Sequence, residues 1–120
     1  MSGTPQTRDR LFLLAAPFKD AALGDQDWFC LHCALIEGAL LANPHWAQAV
    51  DIARVGFPRP RPAIIALLGE TEQSLPALIL AKDAPAPANA RRINGHAVIK
   101  DAAAIATYLA ARHGGVAPHP

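Results

Sequence analysis

The sequence has few charged residues and almost no net charge. Only 18% of its 120 residues are Asp, Glu, Lys or Arg, and the formal net charge is +1. Because Lys and Arg are spread along the chain, we expect neither a nucleic-acid-binding protein nor one attracted to an anionic membrane. Apolar residues make up 52% of the chain, which excludes a disordered protein and predicts a single globular domain.

Long hydrophobic runs are also missing. The longest apolar stretch near the N-terminus covers residues 11–18 and is too short to span a bilayer. Arg8 and Arg10 precede it, as in a signal peptide, but no convincing cleavage site follows. We therefore expect a cytoplasmic protein with no membrane partner.

Cysteine is nearly absent, since the chain has only two. They form a C-x-x-C pair, Cys30 and Cys33, and in a cytoplasmic protein this spacing indicates catalysis or metal binding rather than a structural disulfide. A metal site could use Cys30, His32 and Cys33, although structural zinc usually needs a second such pair. The histidines that could complete a metal site are His45, His96, His113 and His119.

Hydrophobic periodicity predicts the element order β-α-β-α-β-β-α. Continuous apolar runs predict strands over residues 11–16 and 76–81, and two further strands are predicted over residues 50–55 and 96–99. Apolar stripes predict helices over residues 33–43, 63–69 and 102–113, the last with Asp101 as its N-cap. Residues 19–27 and 83–95 are predicted to be loops, and residues 57–62 a stiff proline-rich connector.

These elements predict an α/β domain over residues 10–115, with a flexible N-terminus (residues 1–9) and a C-terminal tail (residues 116–120). The first two strands should be parallel because a helix joins them, and the last two should be antiparallel. We expect a mixed four-stranded sheet flanked by helices on both faces. The strand of residues 11–16 should lie between those of residues 50–55 and 76–81, and the strand of residues 96–99 should lie at an edge.

This order of elements resembles the thioredoxin fold. The resemblance depends on Cys30-Leu31-His32-Cys33, on Ser74-Leu75-Pro76, and on Ile105-Ala106-Thr107-Tyr108-Leu109, which is similar to a helix of glutaredoxins and glutathione-transferase N-terminal domains. Residues 30–38 together with residues 57–62 resemble more closely a small bacterial family of unknown function with a thioredoxin-like fold. That resemblance covers nearly all of residues 10–120.

The resemblance implies a thiol-disulfide oxidoreductase that needs no cofactor and acts on a small thiol or a protein disulfide, with glutathione as a possible substrate. It also implies a cis bond between Leu75 and Pro76, which would place the Leu75 backbone beside the thiols to pair with a peptide or with glutathione. Asp101 could receive the amino group of glutathione, although an N-cap role explains this residue equally well.

The positions of the cysteines support the same chemistry independently. Cys30 precedes the first helix, where free N–H groups and the helix dipole stabilise a thiolate, and His32 as a cation would add to this effect. Cys30 would then be the attacking thiol, and the deeper Cys33 would resolve the mixed disulfide. Glu37 could accept the proton of Cys33, although a solvated or salt-bridged glutamate is the more ordinary interpretation.

Three features depart from the working redox families. The segment between Pro17 and Cys30 is longer than usual, Phe29 intervenes between Trp28 and the motif, and no proline separates the two cysteines. Two alternatives therefore stay open beside the oxidoreductase: a non-catalytic binding module of thioredoxin-like fold with inert thiols, and a Cys/His metal site.

Overall fold

The first strand, β1, lies at the centre of the fold. In the computed structural model, which describes residues 7–120, it spans Arg10–Leu14. Successive side chains of a strand point to opposite faces, and Leu11 and Leu13 accordingly pack in one hydrophobic core while Phe12 packs in another. The prediction of a first strand buried on both faces is confirmed.

The remaining elements follow the predicted order, with five additions of two to four residues each. The additions are β2, β3, α2, β6 and a short 3-10 helix. In chain order, the elements after β1 are β2 (Phe18–Lys19), the 3-10 helix (Ala21–Leu23), β3 (Asp27–Trp28), α1 (Leu31–Ala42), α2 (Trp46–Ala49), β4 (Asp51–Val55), α3 (Pro62–Leu68), β5 (Ala77–Ile79), β6 (Arg91–Ile93), β7 (His96–Ile99) and α4 (Ala102–His113).

The main sheet has the strand order β4-β1-β5-β7-β6. β1 pairs with β4 in parallel and with β5 in antiparallel orientation, and β7 is antiparallel to β5. The predicted central position of the first strand and the predicted strand directions are therefore confirmed. α1 and α4 pack on one face of this sheet and α3 packs on the other, which agrees with the prediction of helices on both faces.

The predicted number of strands was wrong, because the main sheet has five strands and not four. The additional strand, β6, pairs with β7 and takes the edge position that was predicted for β7. β6 is three residues long and only its Ile93 is buried, so its sequence shows no alternation of apolar and polar residues. Asn94 and Gly95, both with positive φ, form the tight turn between the two strands, and this Asn-Gly pair was the overlooked hairpin signal.

The segment predicted as a loop over residues 19–27 also contains regular structure. β2 and β3 form a separate two-stranded antiparallel sheet in which Phe18 lies opposite Trp28. Lys19 Nζ donates to Asp27 Oδ1 at 2.9 Å and closes this hairpin. Strands of two residues are too short to produce a hydrophobic period, and sequence patterns miss them for that reason.

The edges of three predicted strands shift by one or two residues, since β1 ends at Leu14 and β5 at Ile79, each two residues before the predicted end. β5 begins at Ala77, one residue after Pro76, because proline has no N–H to donate to a strand ladder. Val50, predicted as a strand residue, is instead the C-cap of α2, whose Trp46 is fully buried.

Both ends of the described chain are held by specific contacts. Residues 1–6 of the predicted N-terminal segment lie outside the described residues, whereas Arg8 Nε donates to Asp51 Oδ1 at 2.9 Å and Asp9 is buried. In the C-terminal tail, Val116 N donates to Asn43 Oδ1 at 2.7 Å. No helix within residues 7–120 is both long enough and apolar enough to cross a membrane.

Candidate active site at the start of the first helix

Cys30 is the N-cap of α1. Its backbone is extended, its carbonyl accepts the first helical hydrogen bond from Ala34 N at 2.9 Å, and its Sγ accepts from Cys33 N at 3.1 Å. The sulfur therefore occupies the acceptor position that serine or aspartate oxygens usually fill at helix starts. Because this sulfur is partly exposed at the helix start, a substrate can reach it.

Cys33 lies behind Cys30 in the core and is only 2% exposed. Burial raises the pKa of Cys33 from 9.0 to about 12, with a further upward contribution from its hydrogen bond to the Cys30 side chain. The N–H of Leu14, which donates to Cys33 Sγ at 3.3 Å, opposes this shift. Cys33 is therefore a protonated thiol at neutral pH. Both cysteines are free, so this is the dithiol form.

A groove of about 210 Å³ opens beside the two sulfurs. It lies where the end of β1 meets the start of α1, and its walls are mostly apolar. Its lining residues are Leu14, Ala16, Phe29, Cys30, Cys33, Ala34 and Glu37. Phe29, which extends the segment before Cys30, remains 61% exposed and borders the groove. The groove can admit an uncharged side chain or a small thiol next to the sulfurs.

Glu37 is the acidic residue that lines the groove, and Arg54 of β4 forms an ion pair with it. Arg54 Nε and Nη2 donate to the two carboxylate oxygens of Glu37 at 2.8 and 2.7 Å. These hydrogen bonds lower the pKa of Glu37, so its carboxylate is a weak base for the proton of Cys33. The salt-bridged interpretation of Glu37 is confirmed.

Arg61 is a buried charged residue that the sequence analysis missed. It comes from the proline-rich connector, yet it is 4% exposed, whereas Arg59 two residues earlier is exposed. Its guanidinium donates to the carbonyls of Phe57 and Gln73 and lies 5.4 Å from the centre of the Phe57 ring. Two arginines alternating with prolines look the same in sequence, so no local signal distinguished the buried one.

The predicted substrate-binding residues lie apart from this groove. The peptide bond between Leu75 and Pro76 is cis, and Leu75 packs against the same hydrophobic core as Cys30 and Cys33. Asp101 is the N-cap of α4, and its Oδ2 accepts from Ala104 N at 2.9 Å. None of Leu75, Pro76 and Asp101 lines the groove that contains the cysteines.

The histidines do not gather around the cysteines. His32 is exposed on α1, His45 contacts the carbonyl of Gly114 at 3.0 Å, and His113 contacts Asp9. Within residues 7–120, no three side chains of His, Cys, Asp or Glu lie close enough together to hold a metal ion. The alternative of a Cys/His metal site at Cys30, His32 and Cys33 thus receives no support from the described part of the chain.

Comparison with known proteins places the chain in a family. The model of the family described as "Protein of unknown function (DUF3088)" matches residues 8–117, so the chain belongs to that family. No curated protein and no solved structure matches the chain.

Proposed function

We propose that this DUF3088 protein is a cytoplasmic thiol-disulfide oxidoreductase with a thioredoxin-like fold, in which Cys30 attacks and Cys33 resolves. The main support is the unequal setting of the two sulfurs. Cys30 Sγ accepts a helical N–H and is partly exposed, whereas Cys33 is buried and keeps its proton. The parallel β4-β1 pair and the antiparallel β5 and β7 strands support the fold assignment.

The proposed reaction uses only the two thiols and a substrate disulfide. The thiolate of Cys30 attacks one substrate sulfur, the substrate S–S bond breaks, and the leaving thiolate takes up a proton. Cys33 then loses its proton and attacks Cys30 Sγ, which releases the second substrate thiol. The substrate disulfide gains two electrons, and the Cys30–Cys33 dithiol becomes a disulfide. Two molecules of a thiol of the glutathione class would reduce this disulfide for the next turnover and would leave as their own disulfide.

The substrate class follows from the groove and from the loop before β5. The apolar groove beside Cys30 suits a protein disulfide or a small thiol such as glutathione. The backbone of Leu75, which precedes Pro76, would pair with the part of an extended substrate that reaches beyond the groove, and Asp101 would receive an amino group. Thermal shift with millimolar reduced glutathione tests the small-thiol version, and an unchanged melting temperature would leave the protein disulfide as substrate.

The deciding experiment is a redox titration of the purified protein in glutathione buffers, read by mass spectrometry of the alkylated thiols and accompanied by metal analysis. We expect a reversible two-electron transition with no stoichiometric metal. Cys33→Ser should trap a mixed disulfide on Cys30, and Cys30→Ser, the matched control, should trap none at low pH. Two thiols that stay reduced in oxidising buffer, or a bound metal at one equivalent, would overturn the proposal.

A second candidate function is a binding module of the same fold with inert thiols. One observation favours it, namely the burial that raises the pKa of Cys33 to about 12 and so slows the resolving step. The same titration separates the two functions. An inert pair stays reduced at every ratio of oxidised to reduced glutathione, and the protein then binds its partner through the groove without a redox step.

A further inference from the structure

A second cavity lies at the end of the main sheet opposite the cysteine groove. Cys33 accepts from Leu14 at the carboxyl end of β1, whereas this cavity lies where β5 ends, beside the amino end of β1. Its volume is about 40 Å³, about three times the minimum that a water needs. No residue lines both the cavity and the groove, so the cavity is a separate site from the two thiols.

Every ionisable side chain that lines this cavity is basic. The three are Lys82, Arg92 and His96. Within residues 7–120, none of them has an Asp or Glu carboxylate within 4.0 Å. Arg91, next to Arg92 in β6, differs because its Nη2 lies 3.6 Å from Glu72 Oε2. The cavity therefore concentrates positive charge for which the described chain supplies no counter-ion.

Strand pairing explains how Arg92 comes to the cavity. Arg92 lies opposite Ala97 in the β6-β7 hairpin, and Leu80 N donates to the carbonyl of Ala97 at 3.0 Å. Residues opposite each other on paired strands share a face of the sheet, and all three of these residues line the cavity. Arg92 Nη1 also donates to the carbonyl of Gly95, another lining residue, at 3.4 Å. The guanidinium is thus held beside the cavity wall, and Lys82 approaches from the loop after β5.

The surroundings of His96 confirm that the local charge is positive. Burial lowers the pKa of His96. The positive charges of Lys82, Arg10 and Arg92 lower it further. His96 is therefore uncharged at neutral pH, and Lys82 and Arg92 carry the charge of the cavity wall. An anion between them would remove the cost of placing like charges together.

The nearest acidic residues do not supply that anion. Asp83 is exposed in the loop after β5 and does not line the cavity. Asp9 is buried, and its two carboxylate oxygens are already occupied by Ala81 N and His113 Nε2. The counter-charge must therefore come from outside the described chain.

We propose that this cavity binds a phosphate group, with Arg92 and Lys82 as its charged ligands and His96 as part of its wall. The guanidinium fork of arginine matches two phosphate oxygens, and lysine adds a further donor. The small volume admits the phosphate group and excludes the body of a larger molecule. The ligand is free phosphate or a phosphate group at the end of a larger molecule. This binding site goes beyond the oxidoreductase function proposed above and does not depend on it.

Calorimetric titration with inorganic phosphate, at an ionic strength held constant with chloride, tests the proposal. We expect one equivalent to bind, and we expect Arg92→Gln and Lys82→Gln each to raise the dissociation constant by about tenfold, since each removes a charge-assisted hydrogen bond. Arg91→Gln is the matched control and should raise it by less than about twofold, because this exposed arginine has Glu72 as its partner. Both Arg92 and Lys82 are exposed, so their substitution leaves the fold intact, which circular dichroism checks. No binding at millimolar phosphate, or equal effects of Arg91→Gln and Arg92→Gln, would overturn the proposal.

Two further ligands and one further variant sharpen the test. Ethyl phosphate that binds as tightly as inorganic phosphate would identify a terminal phosphate group as the ligand, and clearly weaker binding would identify the free ion. Acetate should bind far more weakly than either, because it has fewer oxygens and less charge, and acetate binding as tight as phosphate binding would contradict a phosphate site. Cys30→Ser should leave the phosphate affinity unchanged. A loss of binding in Cys30→Ser would place the phosphate at the thiols and overturn the proposal, whereas a redox-inactive protein that still binds phosphate would leave it standing.

Discussion

The two ends of β1 use buried polar groups in opposite ways. At its amino end, Asp9 is 2% exposed, and both carboxylate oxygens are occupied. Oδ1 accepts from Ala81 N at 2.8 Å, and Oδ2 contacts His113 Nε2 at 2.9 Å. At its carboxyl end, the N–H of Leu14 donates to the sulfur of Cys33 beside a groove.

This difference separates a structural polar cluster from a reactive one. The Asp9 carboxylate joins β1 to the segment after β5 and to the end of α4, and it has an ionisable partner at hydrogen-bond distance. The carboxyl end instead places the protonated thiol of Cys33 next to the sulfur of Cys30 that caps α1, beside an open groove. A polar cluster with every group satisfied stabilises a fold, whereas one with incomplete pairing is available for chemistry.

The largest effect is expected from a substitution at the amino end of β1. Asp9→Ala leaves the buried N–H of Ala81 without an acceptor and His113 without its partner, so we expect a loss of about 3 kcal/mol in the free energy of unfolding. Urea denaturation followed by circular dichroism measures it. Asp51→Ala is the matched control, because its ion pair with Arg8 is exposed and contributes at most about 0.5 kcal/mol. Equal losses in the two variants would contradict the structural role of Asp9.

A smaller effect is expected at the carboxyl end of β1, where Cys33 makes the folding stability depend on pH. Because burial raises the pKa of Cys33 from 9.0 to about 12, the unfolded chain loses this proton first as pH rises. The free energy of unfolding keeps this contribution of Cys33 below pH 9.0. It loses the contribution as the pH rises toward about 12, by at most about 1.4 kcal/mol per pH unit.

The measurement is urea unfolding of the dithiol protein at pH 9 and pH 10, compared with Cys33→Ala. The other titratable groups are common to both proteins, so the difference between the slopes of the two proteins isolates Cys33. We expect the steeper fall with pH in the protein that has Cys33. Parallel slopes would mean that the thiol ionises in the folded protein as easily as in the unfolded chain.

The smallest effect is expected at Glu37, where a change in the rate of the Cys33 attack would define the role of its carboxylate. Its negative charge contributes to the raised pKa of Cys33, and Arg54 holds its carboxylate. Glu37→Gln should therefore make the attack of Cys33 on a Cys30 mixed disulfide faster by roughly twofold, since more Cys33 is ionised. Stopped-flow release of the bound thiol at pH 8 measures this rate, with the exposed Glu70→Gln as control. A slower reaction would identify Glu37 as the base that accepts the proton.

Much of the fold was predictable because strong periodicity marks its long elements. α4 spans Ala102–His113 as predicted, since Asp101 at its start and Gly114 at its end are both cap signals. The central position of β1 followed from its unbroken apolar run and from the crossover through α1. β2, β3 and β6 escaped detection because two or three residues cannot establish a period, and missing β6 misplaced β7 at the edge of the sheet.

Only the cysteine pair of the candidate site was predictable from the sequence. The C-x-x-C spacing located both thiols and indicated that Cys30 would lie at the helix start and Cys33 in the core, as observed. The spacing could not indicate Leu14, whose contribution is a backbone N–H, or Arg61, whose burial depends on the carbonyls of Phe57 and Gln73. These groups are 16 or more residues from the nearer cysteine in the chain.

The sequence by itself determined which residues form the central strands and helices and that both cysteines occupy one helical turn, because these properties depend on neighbours within a few residues. Only the tertiary structure decided which arginine of the proline-rich connector is buried, which strand closes the sheet and which N–H group faces Cys33. Those outcomes depend on contacts between distant segments, where burial changes the energy of a charge or a thiol far more than its local sequence does.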